Sequence, residues 1–147
     1  MKMENKITVI NGGVAVDDRG SVRFVNDFNF EGVKRFYQVQ NHRRGFIRAW
    51  HGHKNEGKYV YVTSGSALVA AVSMDAAEGD ISAVSKYVLS DVSPKILYIP
   101  AGHFNGFMSL EENTRIIFFS TSTLAESAGD DIRKAYDCWN IWEEDFR

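Results

Sequence analysis

Short runs of β-branched and aromatic residues, separated at close intervals by glycine, asparagine, aspartate and proline, make up most of this chain. Such runs predict β-strands, because branched and aromatic side chains suit a pleated surface and turn residues interrupt it. The predicted strands are Ile7–Ile10, Ser21–Val25, Val33–Gln40, Phe46–Trp50, Lys58–Thr63, Ala67–Ser73, Ser85–Leu89, Ile96–Ile99 and Arg115–Ser122. Many short strands with regular turns indicate an all-β sandwich or barrel.

The strand predicted over residues 58–63 shows the clearest alternation. Successive side chains of a strand point to opposite faces, so one face carries Lys58, Val60 and Val62. A lysine that shares its face with two valines is expected to point into the barrel rather than into solvent. Lys58 is therefore the most informative single residue of the pattern.

Only the segment from Leu124 to Trp142 has a helical character. Within it, the acidic start and basic continuation of residues 130–136 suit a short helix near the C-terminus. The polar stretch Met74–Asp80 is predicted to be a hairpin loop. The chain has no internal repeat and no linker, so residues 1–147 are expected to form a single domain.

Composition narrows the possible partners. Hydrophobic residues make up 44% of the 147 and aromatic residues 13%, which predicts a packed core. The formal charge of -2 provides no basic footprint, so a nucleic-acid partner is not expected. No apolar run approaches the roughly 20 residues that span a bilayer. The lone Cys138 has no internal partner for a disulfide or for a zinc site, and a cytoplasmic location is expected.

Histidines provide the first candidate chemistry. His51 and His53 lie two positions apart, so they project from the same face of an extended segment. The order His51-x-His53, Gly65 and then Pro100-x-Gly102 resembles the cupin superfamily. The resemblance implies a jelly-roll barrel with a short C-terminal helix.

The metal-binding cupins differ from this chain at two ligand positions. Where they carry a glutamate this chain has Lys58, and where they carry a further histidine it has Asn105. An ammonium group among the ligands would repel a divalent cation, so no metal and no other cofactor is expected. A displaced set of ligands that includes Glu56 and His103 remains an alternative.

Within the cupins, the chain is similar to two families of nucleotide-sugar isomerases. These are the dTDP-4-dehydrorhamnose 3,5-epimerases and the dTDP-sugar 3,4-ketoisomerases. The segments 18–20 and Arg48-x-x-His51 resemble both families. Segments 34–37, 51–54 and 131–137 look more like the ketoisomerases, whereas 57–65 and 99–107 look more like the epimerases.

The resemblance implies roles for individual residues. The epimerase pattern makes His51 the base that removes a proton beside the ketone and Lys58 the group that stabilises the enolate oxygen. It also makes Arg48 a contact of the diphosphate or the sugar. The ketoisomerase pattern places Tyr37 and His53 in the active site with His51.

The residues themselves support proton-transfer chemistry. A histidine titrates near neutrality and can take a proton next to a ketone, while a fixed cation stabilises the oxyanion that develops. Candidates for the acid that returns the proton are His53, Tyr37 and His103. Candidates for substrate binding are Arg48, Arg19, Arg23, His103 and Asn105. A carboxylate that orients a catalytic histidine is expected at Asp137, Glu143 or Asp145.

Two departures from the epimerase pattern affect the predicted reaction. The pattern has a histidine at Asn105 and an acidic tyrosine near Thr123 or Leu124, and this chain has neither. The missing acid argues against complete epimerisation at two carbons. The expected function is a metal-independent isomerase of a nucleotide-linked 4-keto-6-deoxy sugar, acting at C3, C5 or both. It would serve bacterial surface-polysaccharide biosynthesis.

Two alternative functions stay open. One is 3,4-ketoisomerisation of dTDP-4-keto-6-deoxyglucose, and the other is non-catalytic sugar binding by a cupin. The expected partners are the nucleotide sugar and a second copy in a homodimer.

Overall fold

The computed structural model describes residues 5–144 and 146–147, and strands make up nearly all of its regular structure. The strands are β1 (Thr8–Asn11), β2 (Gly13–Asp17), β3 (Gly20–Phe24), β4 (Arg35–Gln40), β5 (Ile47–His53), β6 (Lys58–Ser64), β7 (Ser66–Ser73), β8 (Ser85–Ser90), β9 (Lys95–Ile99), β10 (His103–Ser109), β11 (Arg115–Ser120) and β12 (Ile132–Arg133). The α-helix α1 (Leu124–Ala128) and two 3₁₀ turns (Ile81–Ala83 and Tyr136–Trp139) complete the fold. The prediction of an all-β fold with a short helix near the C-terminus is confirmed.

Two five-stranded antiparallel sheets form the barrel. The first has the strand order β1-β9-β6-β11-β4 and the second has the order β12-β5-β10-β7-β8. Strands β2 and β3 pair only with each other, as a separate hairpin. The sheets pack face to face through one buried cluster, whose members are Val60, Val62, Ala67, Val69, Ala71, Leu89, Leu97, Ile99, Phe107, Ile116 and Phe118.

The alternation of β6 places Lys58 inside the barrel, as predicted. Lys58, Val60 and Val62 are all buried, whereas Tyr61 and Thr63 are more exposed on the opposite face. The cost of burying an ammonium group in an apolar core is large unless a counter-charge accompanies it. The location of Lys58 therefore marks the functional end of the barrel.

The outer face of the second sheet is covered by the C-terminal segment. Trp139 and Trp142 are buried there against Trp50, with ring centroids 5.7 and 5.3 Å from the Trp50 ring. The indole N–H groups of Trp50 and Trp142 both donate to the carbonyl of Tyr136. These aromatic residues thus pack on the outer face of β5 and stabilise it, which leaves the inner face of the strand for the candidate site.

A single turn joins β6 to β7 at Gly65. Its φ of 79° lies in the left-handed region that favours glycine, and a Cβ there would lie 2.5 Å from the Thr114 hydroxyl oxygen. Glycine is needed at this position for both its backbone angle and its size.

The fold corrects three sequence predictions. Strands β2 and β10 were not predicted, and His103 and Asn105 lie on β10 rather than in a turn, because β5 and β7 pair with it on both sides. The prediction of a helix at residues 130–136 was wrong, since Ile132 and Arg133 pair with β5 instead. The helix begins earlier, where Thr123 and Glu126 form a capping box.

The longest helix among residues 5–144 and 146–147 has five residues. No helix of this described part could cross a membrane.

Candidate active site

A cavity of about 210 Å³ opens at the end of the barrel where β4, β5, β6 and β10 meet the segment around α1 and β12. Its floor is apolar and includes Val39, Phe107 and Phe118. The polar and charged groups that line it are Arg35, Tyr37, Arg48, His51, His53, Lys58, Asn105, Ser127, Asp131 and Arg133. A water-restricted cavity with converging titratable groups is the usual form of an enzyme site.

An irregularity in β5 brings Arg48 and His51 into this one cavity. Residues three apart on a regular strand would point to opposite faces. In the pairing with β10, however, Asn105 lies opposite His51 and Phe107 lies opposite Arg48, so β5 uses three steps where β10 uses two. The extra residue turns both side chains to the same face, as β-bulges do.

Lys58 is held inside the site by a buried ion pair. Its Nζ lies 3.6 Å from Oε2 of Glu56, whose Oε1 lies 3.7 Å from Nη2 of Arg35. Burial lowers the pKa of Lys58, the negative charge of Glu56 raises it, and the charge of Arg35 lowers it. The ammonium also lies 5.8 Å from the centre of the Phe118 ring. This lysine provides a localised, weakly hydrated cation at the bottom of the site.

Both histidines of the His51-x-His53 motif line the cavity. Burial is the main cause that lowers the pKa of each, and the positive charge of Lys58 adds to it. Arg133 lowers the pKa of His51 further, whereas Asp131 raises it. A lowered pKa keeps an imidazole neutral at physiological pH, which is the form that can accept a proton.

Tyr37 reaches the same cavity from β4. Its ring stacks on Phe118 with centroids 5.2 Å apart, and the guanidinium of Arg35 lies 4.9 Å from its centre. Burial raises the pKa of Tyr37 to about 12, with a further contribution from the charge of Glu56. The phenol therefore keeps its proton at neutral pH.

Arg48 and Asn105 are each held by a hydrogen bond, Arg48 to a side-chain amide and Asn105 to a backbone carbonyl. The Arg48 Nε donates to Oδ1 of Asn41 at 2.7 Å, and Nδ2 of that buried asparagine donates to the Ser109 hydroxyl at 2.9 Å. Nδ2 of Asn105 donates to the carbonyl of His51 at 3.2 Å. Asn105 thus lines the cavity and also holds β5 against β10.

Three predicted site residues do not line this cavity within one chain. Arg19 lies at the exposed tip of the β2–β3 hairpin and pairs with Asp17. Arg23 pairs with Asp91. The His103 Nδ1 lies 3.1 Å from the carbonyl oxygen of Pro100, on the turn that precedes β10.

The structure adds charged residues that the sequence pattern did not single out. Arg35, Asp131 and Arg133 line the cavity. Glu56, which the sequence suggested only as a displaced metal ligand, lies directly behind it. Asp131 is the carboxylate that lines the cavity and raises the pKa of His51, whereas Glu143 lines a separate groove and Asp137 does not line the cavity. Asp145, the third candidate, lies outside the described residues. The sequence signal for Asp131 was the resemblance of segment 131–137 to the ketoisomerases, within a stretch that was predicted to be helical.

The displaced set of metal ligands does not form. No group of three or more histidine, cysteine, aspartate or glutamate side chains could hold an ion among residues 5–144 and 146–147. Glu56 faces two cations, and the His103 ring contacts backbone carbonyls. What the cavity brings together instead is two imidazoles with lowered pKa values, a buried lysine, a phenol whose pKa is raised to about 12, and three arginines. Such a set can remove a proton, stabilise an oxyanion and hold an anionic substrate.

The profile of the family described as dTDP-4-dehydrorhamnose 3,5-epimerase matches residues 5–141. No curated protein matches the chain.

Solved structures of three related kinds are similar to it. The Mycobacterium tuberculosis rmlC epimerase has a TM-score of 0.69 at 19% identity, over 85% of this chain and 66% of that chain, so this chain spans about two thirds of its length. ChmJ, a 3'-monoepimerase from Streptomyces bikiniensis in complex with dTDP-quinovose, has a TM-score of 0.79 at 17% identity, over 100% and 79%. The WlaRB TDP-quinovose 3,4-ketoisomerase from Campylobacter jejuni has a TM-score of 0.67 at 22% identity, over 91% and 96%. At these identities, the similarity shows a shared fold.

Proposed function

The chain belongs to the dTDP-4-dehydrorhamnose 3,5-epimerase family, a family of enzymes, and we propose that it isomerises a nucleotide-linked 4-keto-6-deoxy sugar by proton transfer beside the ketone. The observation that carries this proposal is that His51 and Lys58 line one cavity, one as a neutral base and the other as a buried cation. These are the two groups that the first half of such a reaction requires.

Enolate formation is the first step of the proposed reaction. His51 takes the proton from the carbon next to the ketone, and the electron pair of the broken C–H bond moves to the ketone oxygen. Lys58 stabilises the oxyanion that results. A cation already desolvated by the barrel stabilises that charge without the reorganisation that water would need.

Return of the proton completes the reaction, and Tyr37, which lines the cavity, is the proposed donor. Its phenol stays protonated because burial raises its pKa to about 12. His53 is the weaker candidate for the acid, since its lowered pKa leaves it as a neutral imidazole. Delivery to the opposite face of the same carbon gives an epimer.

Epimerisation at one carbon agrees best with these residues. The tyrosine that acts as the acid in the family pattern is absent near residue 123. The candidate acid of this chain, Tyr37, reaches the cavity from β4 instead. The similar ChmJ is named a 3'-monoepimerase, so one-centre epimerisation occurs on this fold.

The arginines at the cavity suit a diphosphate. The cavity volume of about 210 Å³ is below the ~300–1,000 Å³ of pockets that enclose whole ligands. It would therefore hold the sugar and leave the nucleotide outside. Arg48 and Arg133 are exposed while lining the cavity, and guanidinium groups bind phosphate oxygens in a bidentate manner.

The 3,4-ketoisomerase reaction is the second candidate function. Tyr37, His51 and His53 all line the same cavity, which is the trio that the ketoisomerase resemblance implies. In that reaction the proton taken from C3 returns to C4, the O3 hydroxyl gives up its proton and O4 gains one, so the carbonyl moves to C3. Epimerisation at C3 passes through the same enolate, and the two reactions differ in the carbon that receives the proton.

Incubation with dTDP-4-keto-6-deoxyglucose in heavy water, followed by NMR, tests the proposal. Deuterium at C3 or C5 with inversion is expected, and a moved carbonyl would indicate the ketoisomerase. His51→Asn and Lys58→Ala should each lower the exchange rate by about 10²-fold or more. His42→Asn, an exposed histidine outside the cavity, is the matched control. Binding without any exchange would contradict both enzyme functions and support a sugar-binding protein.

A homodimer in the cytoplasm belongs to the same proposal. The lone Cys138 is consistent with a reducing compartment. The exposed β2–β3 hairpin, with Val16 and Val22 exposed, supports association with a second copy. Because Arg19 lies at the tip of this hairpin and away from the cavity of its own chain, it could contact substrate only in the partner's cavity.

A further inference from the structure

Glu56 is a fully buried carboxylate that the proposed reaction does not use. Its side chain has 0% exposure, and it lies in the loop between β5 and β6. Neither oxygen has a hydrogen-bond partner within the described part of the chain. Its nearest charged partners are Lys58, 3.6 Å away, and Arg35, 3.7 Å away.

This environment indicates an ionised carboxylate. A protonated carboxyl would need an acceptor for its O–H, whereas both oxygens of Glu56 face cations. A buried charge is tolerated only with a counter-charge, and a buried Lys58 beside Arg35 has the same requirement. The three groups form an Arg35–Glu56–Lys58 triad with one excess positive charge, and both of its cations line the cavity.

The loop that carries Glu56 is fastened at both ends. Oδ1 and Oδ2 of Asp130 accept hydrogen bonds from the backbone N–H groups of Lys54 and Asn55, each at 2.8 Å. The N–H of Gly57 donates to the Thr121 hydroxyl at 2.8 Å. Glu56 is thus held in place by groups outside the triad, and it can position Lys58 rather than follow it.

We propose that Glu56 is the positioning residue that keeps Lys58 protonated and directed into the cavity, so that the ammonium is available to the enolate oxygen. The inference rests on the proposed function for its catalytic consequence. Glu56 does not line the cavity itself, so it acts through Lys58 and not on the substrate. A neutral amine at Lys58 would leave the oxyanion without its cation.

Lys58 faces charged groups from several elements, and Glu56 is its nearest anion. Arg35 approaches from β4, His51 and His53 from β5, and Asp131 from the segment before β12. Burial and Arg35 lower the pKa of Lys58, whereas Glu56 and, more weakly, Asp131 raise it. Without Glu56, the lysine would lose its proton at a lower pH.

The test compares Glu56→Gln with wild type by two measurements. NMR titration of carbon-13-labelled lysine side chains follows Lys58, whose signal is assigned from Lys58→Arg. The pH profile of sugar deuterium exchange follows the reaction. In Glu56→Gln, we expect the midpoint of the Lys58 titration to move to lower pH by about 1 to 3 units. The alkaline limb of the exchange profile should move by the same amount.

Glu78→Gln is the matched control. It makes the same change at an exposed glutamate that pairs with a surface lysine, Lys134, and it should leave both curves in place. An unchanged Lys58 titration in Glu56→Gln would overturn the inference. So would an equal loss of exchange at every pH, because that pattern indicates a purely structural role.

The two proposals fail in distinguishable ways. If wild type shows no exchange, the proposed function fails, and the lysine titration still decides the role of Glu56. If Glu56→Gln does not fold, the double variant Glu56→Gln/Lys58→Gln removes both charges of the pair. Recovery of the fold in that variant supports the pairing, since the two effects are then coupled, and an unfolded double variant contradicts it.

Discussion

His51 is a better candidate for the base than His53, because of what surrounds each ring. His51 is half-buried and can meet a substrate, whereas His53 is only 5% exposed. Burial lowers the pKa of His51, and the charges of Lys58 and Arg133 lower it further, which favours the neutral ring. The same cations that would bind the anionic substrate thus prepare the base.

The pH dependence of exchange follows from the lowered pKa of His51. The base must be neutral, so kcat/KM should fall as pH falls through a value below the ordinary 6.5 of histidine. Arg133→Gln removes one of the lowering charges and should move this acid limb to higher pH. Measurement of kcat/KM from pH 5 to 8 checks both points. An acid limb that does not move in the variant would mean that Arg133 does not act on the base.

Strand β5 gives the site its geometry at the scale of the element. Its extra residue opposite β10 lets Arg48 and His51 share one face, while Trp50 between them is buried in the aromatic cluster behind the sheet. One strand therefore supplies both a candidate base and a candidate phosphate contact. The next strand along the chain, β6, supplies Lys58 and ends at the turn that Gly65 makes into β7.

The Gly65→Ala variant tests that turn. Alanine would take on both the left-handed backbone angle and a close contact with Thr114, so it should lower the free energy of unfolding by about 1 to 3 kcal/mol. Gly79→Ala is the control, since its φ of 84° is similar but no atom lies within 4 Å of the added Cβ. Urea denaturation should show the larger loss for Gly65→Ala. Equal losses of unfolding free energy in the two variants would mean that the contact with Thr114 does not destabilise the fold.

At the scale of the whole molecule, the outer face of the first sheet carries exposed aromatic rings. Phe36 is 69% exposed and Phe30 is 57% exposed, and both rings contact Phe119. Tyr61 on β6 is partly buried and packs against the neighbouring cluster of Ile10, Tyr59 and Ile96. A surface of this kind indicates an interface and supports the proposed homodimer.

Light scattering checks the assembly. Wild type should have twice the mass of one chain, and Phe36→Asp should shift it toward the monomer, because a charge would be buried at the interface. Val88→Asp, an equally apolar exposed site on β8 of the other sheet, should leave the mass unchanged. A monomeric wild type would exclude the dimer, and with it a role for Arg19 in a partner's cavity.

The sequence by itself determined the fold class and the centre of the site. Period-two patterning reveals strands, and the two valines beside Lys58 predicted correctly that it points inward. The spacing of His51 and His53 predicted a shared cavity, and both line it. These features are local, and local patterns are what a sequence records directly.

Tertiary structure decided the rest. Strand β10 contains glycine and polar residues and becomes a strand because β5 and β7 pair with it from both sides. Residues 130–136 have helix-like charges, yet pairing with β5 makes Ile132 and Arg133 extended and brings Asp131 and Arg133 to the cavity. The counter-charge of Lys58 lies only two residues away at Glu56, but nothing in the sequence shows that its carboxylate is buried. Burial and long-range pairing depend on elements that are distant along the chain, and for this reason only the folded molecule reveals them.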